Sequence, residues 1–441
     1  MSTRKAMVGL VGLAAATIVL TSCAGGGSST GDDSANAIDG EPSGDIKVIT
    51  WRTDLIADGT FDEYAKEFQS VYPDVTVTFE GITDYEGEMK TRLSTTNYGD
   101  VIGIPTMQPS QFEQFLEPLG ETADFQDTYR FLTTHTYDGT QYGLAIGGNA
   151  NGVLYNKAVF EEAGITELPK NEEEFLAALE QIRDNTDAIP LYTNYKDGWP
   201  LTQGMGSLGA ITNDPDAGIN MAENTAPWTE GTDIYAIDSV FYDAVEAGLT
   251  EEDPLTTNWE QSKVDLGTGK IGTMILGSWA ISQMQAAAED NGASADDIGY
   301  MAFPSNLDGK QYAIIGGDYN LGVSKHSEHK AAAWAFIQWL LEDSGFTETQ
   351  GMVSTVSAKP LPDNLAGFTE EGVELMETNP APAGKESLLS DISNDSQIDL
   401  WGPLYRQAMI DIARGAADGD KQSYFDELNE RWGASSEQLA G

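Results

Sequence analysis

The chain has one cysteine, Cys23, and three histidines, His135, His326 and His329, in 441 residues. A single thiol excludes an intramolecular disulfide and any metal site built from several cysteines. Three scattered histidines give no His-rich centre, so no metal ligand and no cofactor is expected. His326-Ser327-Glu328-His329 lacks the H-E-x-x-H spacing and reads as a helix start, where Ser and Glu serve as caps. Basic residues are also scarce: 23 Lys and Arg stand against 71 Asp and Glu, a formal charge of −48. Nucleic-acid backbones need clustered Lys and Arg, and docking on an anionic bilayer needs a basic face; neither partner is expected. Working phosphate cradles are missing. Gly204-Met205-Gly206-Ser207-Leu208-Gly209 follows a turn rather than a strand, and Gly267-Thr268-Gly269-Lys270 lacks the P-loop spacing. With so many acids, close carboxylate pairs arise by chance, so the acid pair of a glycosidase cannot be read from spacing.

What is present begins with an address. Arg4 and Lys5 precede an uncharged, largely apolar run from Ala6 to Leu20, and small residues follow. This is the layout of a secretory signal peptide over 1–22, and the run is short of the about 20 apolar residues that span a bilayer. Leu20-Thr21-Ser22-Cys23 resembles the bacterial lipobox, which implies lipidation of Cys23 and an anchor in the membrane. Residues 23–45, rich in Gly, Ser, Asp and Ala, read as a flexible tether. The remaining chain exceeds the roughly 250–300 residues at which single cores stop growing, so two or more lobes are expected. Its 40% hydrophobic and 9% aromatic content sets it apart from disordered acidic chains.

Period and punctuation give the elements. Ile46 to Trp51 and Val75 to Phe79 are β-branched strands. Phe61, Tyr64, Ala65 and Phe68 between them mark one helical face, stopped at Pro73. Strand–helix–strand at this spacing predicts a parallel α/β layer. Further strands are expected over 101–104, 271–276 and 314–323, with helices after the Asn171 cap, over 331–341, near 403–417 and near 421–432. Trp51, Tyr195, Trp199, Trp228, Trp259, Trp279 and Trp401 lie near strand ends, Gly or Pro. An indole face packs on the C–H groups of a sugar ring while neighbouring polar groups bind hydroxyls. Core packing is the alternative for each of them, and Trp199 reads as structural.

Several stretches in order resemble the solute-binding proteins of bacterial ABC sugar importers, the maltose-binding-protein-like family. They are Ile49-Thr50-Trp51 with Val71-Tyr72-Pro73-Asp74-Val75; Gly99-Asp100-Val101-Ile102; Tyr137-Asp138-Gly139-Thr140-Gln141-Tyr142-Gly143 leading to Leu154-Tyr155-Asn156-Lys157; Gly267 to Met274 leading to Gly277-Ser278-Trp279; and Gly316-Gly317-Asp318 before Ala332-Ala333-Trp334. The resemblance implies an α/β, two-lobed periplasmic-binding-protein fold with hinge crossings and an interlobe ligand cleft. Lobe 1 would be 46–148 plus 319–343, and lobe 2 would be 149–318 plus 344–441. It implies ligand contacts at Arg52, Thr53, Asp54, Gln108, Asn149, Tyr195, Trp279, Gly317, Asp318 and Trp401. Ile104-Pro105-Thr106-Met107-Gln108 lacks the aromatic and charged contacts of maltose-binding protein, which points to another sugar. The implied protein is no enzyme. It is a monomeric, lipid-anchored, extracellular receptor that captures a carbohydrate, a short oligosaccharide, and delivers it to ABC permease subunits. A binding protein for a peptide or polyamine, and a secreted glycosidase, remain the alternative readings.

Overall fold

A computed structural model describes residues 37–307, 309–382 and 384–440. Cys23, the signal peptide and most of the expected tether lie outside the described residues.

A first sheet is built from Val75–Gly81, Gly44–Thr50, Val101–Gly103, Asn320–Val323 and Leu144–Ala145, in that spatial order. The first three strands run parallel, and Asn320–Val323 runs antiparallel to Val101–Gly103 with Leu321 opposite Gly103. Helix Thr60–Val71 covers this sheet because Phe61, Tyr64 and Phe68 fall on one stripe and are buried. Helix Lys330–Glu342 joins them through Phe336, Ile337 and Leu340 in the same apolar cluster. Phe346 is in this cluster too, its ring parallel to Phe61. The packing of the first body therefore extends past residue 343, the expected boundary.

The second sheet runs Glu374–Met376, Tyr312–Gly317, Gly148–Asn156, Ile271–Gly277 and Ile189–Leu191, with Ile298–Ala302 also paired to Gly148–Asn156. Gly277 lies opposite Asn151, and Ile271–Gly277 is parallel to Ile189–Leu191. A large helical layer packs against it. Helices Glu172–Asn185, Asp233–Glu246, Leu404–Ala413 and Lys421–Leu439 bury Phe175, Phe241, Tyr405 and Trp432 in one cluster. Asn171 caps the first of these by accepting from Glu174 N at 2.9 Å, as its sequence pattern predicts.

The chain passes from one sheet to the other between Ala145 and Gly148 and back between Gly317 and Asn320. The two crossings lie side by side, since Gly316 pairs with Asn149 and Asn320 with Ala145. This is the two-lobed α/β fold. The registers also decide which loops meet. The carboxyl ends of the parallel strands of the first sheet align with Asn320, at the crossings. The carboxyl end of Ile271–Gly277 lies at the Gly148 end of the second sheet, and Ile189–Leu191 runs in the same direction, with Leu191 opposite Thr273. Loops from both lobes therefore converge at the hinge edge, the place where open α/β sheets hold ligands.

Among the described residues no helix is long and apolar enough to cross a membrane.

Candidate functional site

On the second lobe the site starts from a turn. The buried strand Ile271–Gly277 ends in Gly277-Ser278-Trp279. Ser278 Oγ accepts from Ala150 N at 3.0 Å, which ties the turn to the first crossing strand. Tyr300 donates its hydroxyl to the carbonyls of Ala150 and Leu276 at 2.9 and 2.8 Å, fixing the same corner from behind. A methyl on Gly277 would come within 2.6 Å of the Trp279 ring, so the indole folds back over its own strand end only because that position has no side chain.

Trp279 is half-buried and meets two more indoles. Its ring centroid is 5.9 Å from both Trp199 and Trp259, which lie 4.9 Å apart edge to face. Three segments are stitched to make this trio. Asp197 accepts from Trp259 N at 2.5 Å, Lys196 N donates to Thr257 Oγ1 at 2.8 Å, and Asn258 N donates to Tyr192 Oη at 3.1 Å. Trp199, read as structural from sequence, is 36% exposed and packs on both other indoles. Lys263 Nζ sits 5.0 Å over Trp259, closing one face of that ring.

Trp228 belongs elsewhere. It is 1% exposed, donates to Asp238 Oδ2 at 2.8 Å and packs on Trp432. Trp401 is 52% exposed, in the loop before helix Leu404–Ala413. That loop touches the Trp199 segment, because a methyl on Gly198 would meet Pro403 at 2.9 Å. Tyr195 makes no ring contact with the trio among the described residues. Its hydroxyl donates to both oxygens of Asp411 at 3.0 Å, and its carbonyl accepts from Gln407 Nε2 at 2.6 Å. Burial and the neighbouring Asp411 carboxylate raise its phenol above the usual range.

The first lobe presents a second aromatic group. Trp51 stacks on Tyr319 at 4.2 Å and meets Tyr85 edge to face at 5.8 Å. Tyr85 is held by donating to Ile49 O and Gly103 O, at the ends of two adjacent strands. Tyr319 donates to Glu86 Oε1 at 3.0 Å, and burial with this carboxylate pushes its phenol up to about 12. Glu86 also accepts from Thr106 N at 3.0 Å. Glu86, Trp51 and Tyr319 were not among the ten residues taken from the resemblance. The sequence signal for Trp51 was its place at a strand end; Glu86 and Tyr319 are joined only by folding.

The other candidates distribute as follows. Arg52 precedes the short helix Thr53–Ala57 and is engaged within the chain, paired with Asp54 at 2.6 Å and donating to Gln350 Oε1 at 2.8 Å. The Arg52 hydrogen bond holds the Asp54 carboxyl below its usual range. Thr53 lies against Gly81 at the end of the neighbouring strand. Gln108 is exposed, and its backbone N–H donates to Gln111 Oε1 at 3.0 Å. Asn149 and Asp318 meet across the two crossings, Nδ2 to Oδ2 at 3.0 Å, with Gly317 beside them. Cys23 lies outside the described residues.

A wide groove of about 1550 Å³, bordered by Lys157, Gln285, Gln350, Asp363 and Glu371, reaches the hinge through Gln350, which accepts from Arg52, and Met352, which lies against Gly147. It contains none of the ten candidates and none of the three indoles. The site is therefore placed by ring chemistry and strand-end geometry rather than by the size of this groove.

The family model for bacterial extracellular solute-binding proteins matches residues 53–345. The chain belongs to this family. The binding protein is similar to a manno-oligosaccharide-specific solute-binding protein of Bifidobacterium animalis subsp. lactis solved with mannotriose. The TM-score is 0.79 and the identity 36%, over 90% of this chain and 95% of that one. It is 26% identical over 383 residues to a diacetylchitobiose-binding protein of Streptomyces coelicolor, covering 82% of this chain and 84% of that protein. A multiple sugar-binding protein of Streptococcus mutans is 22% identical over 377 residues, 82% of this chain and 86% of that protein. These relatives are binding proteins by name. The chain is thus an extracellular solute-binding protein of the kind that serves ABC sugar importers.

Proposed function

We propose that this binding protein captures a short, mannose-built oligosaccharide of two or three rings between its lobes. The observation that carries the reading is the trio Trp199, Trp259 and Trp279, part-exposed beside the carboxyl end of Ile271–Gly277 in one lobe, with the Trp51–Tyr319 stack at strand ends of the other. Flat ring faces suit pyranose C–H surfaces, and the polar groups at the crossings, Asn149 and Asp318, suit hydroxyls. Trp401 extends the surface toward the rim. Tyr195 contributes its ring, since its hydroxyl is already engaged. Arg52, Thr53, Asp54 and Gln108 line the opposite edge. The 36% identity to a manno-oligosaccharide-specific protein favours mannose over other sugars.

Closure would turn on Gly147 to Gly152, on Gly316 to Asn320 and on a third crossing past Phe346. Ligand contacts made by both lobes only when shut would then drive the population toward the closed form. The closed, monomeric receptor would dock on an ABC permease, tethered by a lipid on Cys23. No covalent step is involved.

Calorimetric titration with mannobiose, mannotriose, diacetylchitobiose and raffinose tests the ligand. Tightest binding by a mannose chain is expected; release of shorter sugars from any of them would overturn the reading. Cys23→Ser should move the protein from the membrane fraction to the medium, and retention on the membrane would remove the anchor.

A further inference from the structure

We infer that Glu86 and Asp318 make the first-lobe side of the cleft a filter against acidic sugars. The inference rests on the saccharide reading above and concerns which saccharides are admitted. Glu86 lies beyond the carboxyl end of Val75–Gly81, in the first turn of helix Tyr85–Arg92, on the hinge edge. Its two oxygens accept from Tyr319 Oη and Thr106 N, both neutral donors. Asp318 accepts from Asn149 Nδ2 and from Tyr319 N, again neutral. Glu86 thus meets the hydroxyl of Tyr319 and Asp318 meets its backbone N–H, and among the described residues neither carboxylate forms an ion pair.

Most cations nearby are already engaged. Arg52 is taken by Asp54 and Gln350. Arg92, on the Glu86 helix, pairs with Glu80 and Glu88, and Lys90 on that helix is exposed and makes no ion pair with Glu86. Across the cleft Lys263 pairs with Glu260 and Arg414 with Asp411. Lys196 is exposed on the Trp199 loop, so the filter is assigned to the first-lobe side alone. A carboxylate whose lone pairs remain open accepts from sugar hydroxyls or a protonated amine. A uronate placed there meets two like charges with no cation between, and such juxtaposition rejects a ligand more effectively than a missing contact does.

The test titrates the full chain with mannobiose and with dimannuronate, which carries carboxylates in place of the C6 hydroxymethyl groups. Dimannuronate is expected to bind at least tenfold more weakly. That gap should narrow at least threefold in Glu86→Gln or Asp318→Asn, both near-isosteric and both checked for an unchanged melting temperature. Equal affinities in the unmodified protein, or an unchanged gap in both folded variants, would overturn the inference while leaving the saccharide reading standing. Failure of every neutral saccharide to bind would overturn that reading, and this one with it.

Discussion

Trp228 and Trp279 carry the same side chain beside similar turn-forming residues, and only their surroundings distinguish them. Trp279→Ala and Trp199→Ala should each weaken saccharide binding by about 1–3 kcal/mol, by analogy with ring stacking elsewhere, with little change in melting temperature. Calorimetry beside thermal unfolding checks both halves. Trp228→Ala should do the reverse. It removes a fully buried indole and the donor to Asp238 Oδ2, so a loss of about 3–5 kcal/mol of stability is expected, read from denaturant unfolding. Glu172 offers a pH signature. Burial first, and then a hydrogen bond with the Asp243 carboxylate, push its pKa up to about 7. The folded state therefore holds a proton that the unfolded chain releases near 4.5. This contribution is fully present below about pH 4.5 and is lost as pH rises through about 7. Glu172→Gln should flatten that part of the stability profile and raise the melting temperature at pH 8; an unchanged slope between pH 5 and 8 would count against it.

At the scale of elements, helices Asp233–Glu246 and Leu404–Ala413 are joined by a fully buried ion pair. Arg406 Nε donates to Asp238 Oδ1 at 2.8 Å, and both side chains are 0% exposed. Removing one partner leaves the other charged and buried, so Asp238→Ala should destabilise by about 3–5 kcal/mol. Replacing both residues by apolar ones of similar volume should cost less, and a denaturant series on the single and double variants decides it. The pair also matters to the cleft, because Leu404–Ala413 carries Gln407 and Asp411, which hold Tyr195, and follows the Trp401 loop. Leu404–Ala413 and the helix that Asn171 starts are expected from sequence, whereas Asp233–Glu246 is not. The segment from Trp199 to Ser207 is not expected either. It forms a 3-10 turn without a periodic face, and its role comes from Asp197, which caps the Trp259 helix sixty-two positions along the chain.

For the whole molecule, the hinge is where backbone space limits function. A methyl on Gly317 would lie 2.8 Å from Phe131 Cβ and 2.9 Å from Ala145 Cβ, whereas at Gly316 it would meet nothing within 4 Å. Gly317→Ala should therefore wedge the crossing and reduce both affinity and the ligand-induced fall in radius of gyration, and Gly316→Ala should leave both intact. Small-angle scattering with and without mannotriose reads this directly. The strong acidity of the chain bears on solubility and charge selection rather than on fold.

The sequence by itself determined the strand–helix–strand layering, through strand and helix periods, and its ordered motifs carried the resemblance that implied the two-lobed class and the Gly277-Ser278-Trp279 turn. It also set the lone cysteine just after a largely apolar run. Only the tertiary structure decided which rings gather. Trp199, Trp259 and Trp279 come from three distant segments, and Glu86 and Tyr319 are 233 positions apart. Their meeting depends on sheet register and on which strand ends face the crossings, and no local pattern encodes that. Burial likewise withdrew Trp228 into the core and tied the Tyr195 hydroxyl to Asp411, because a buried polar group must find a partner wherever the fold supplies one.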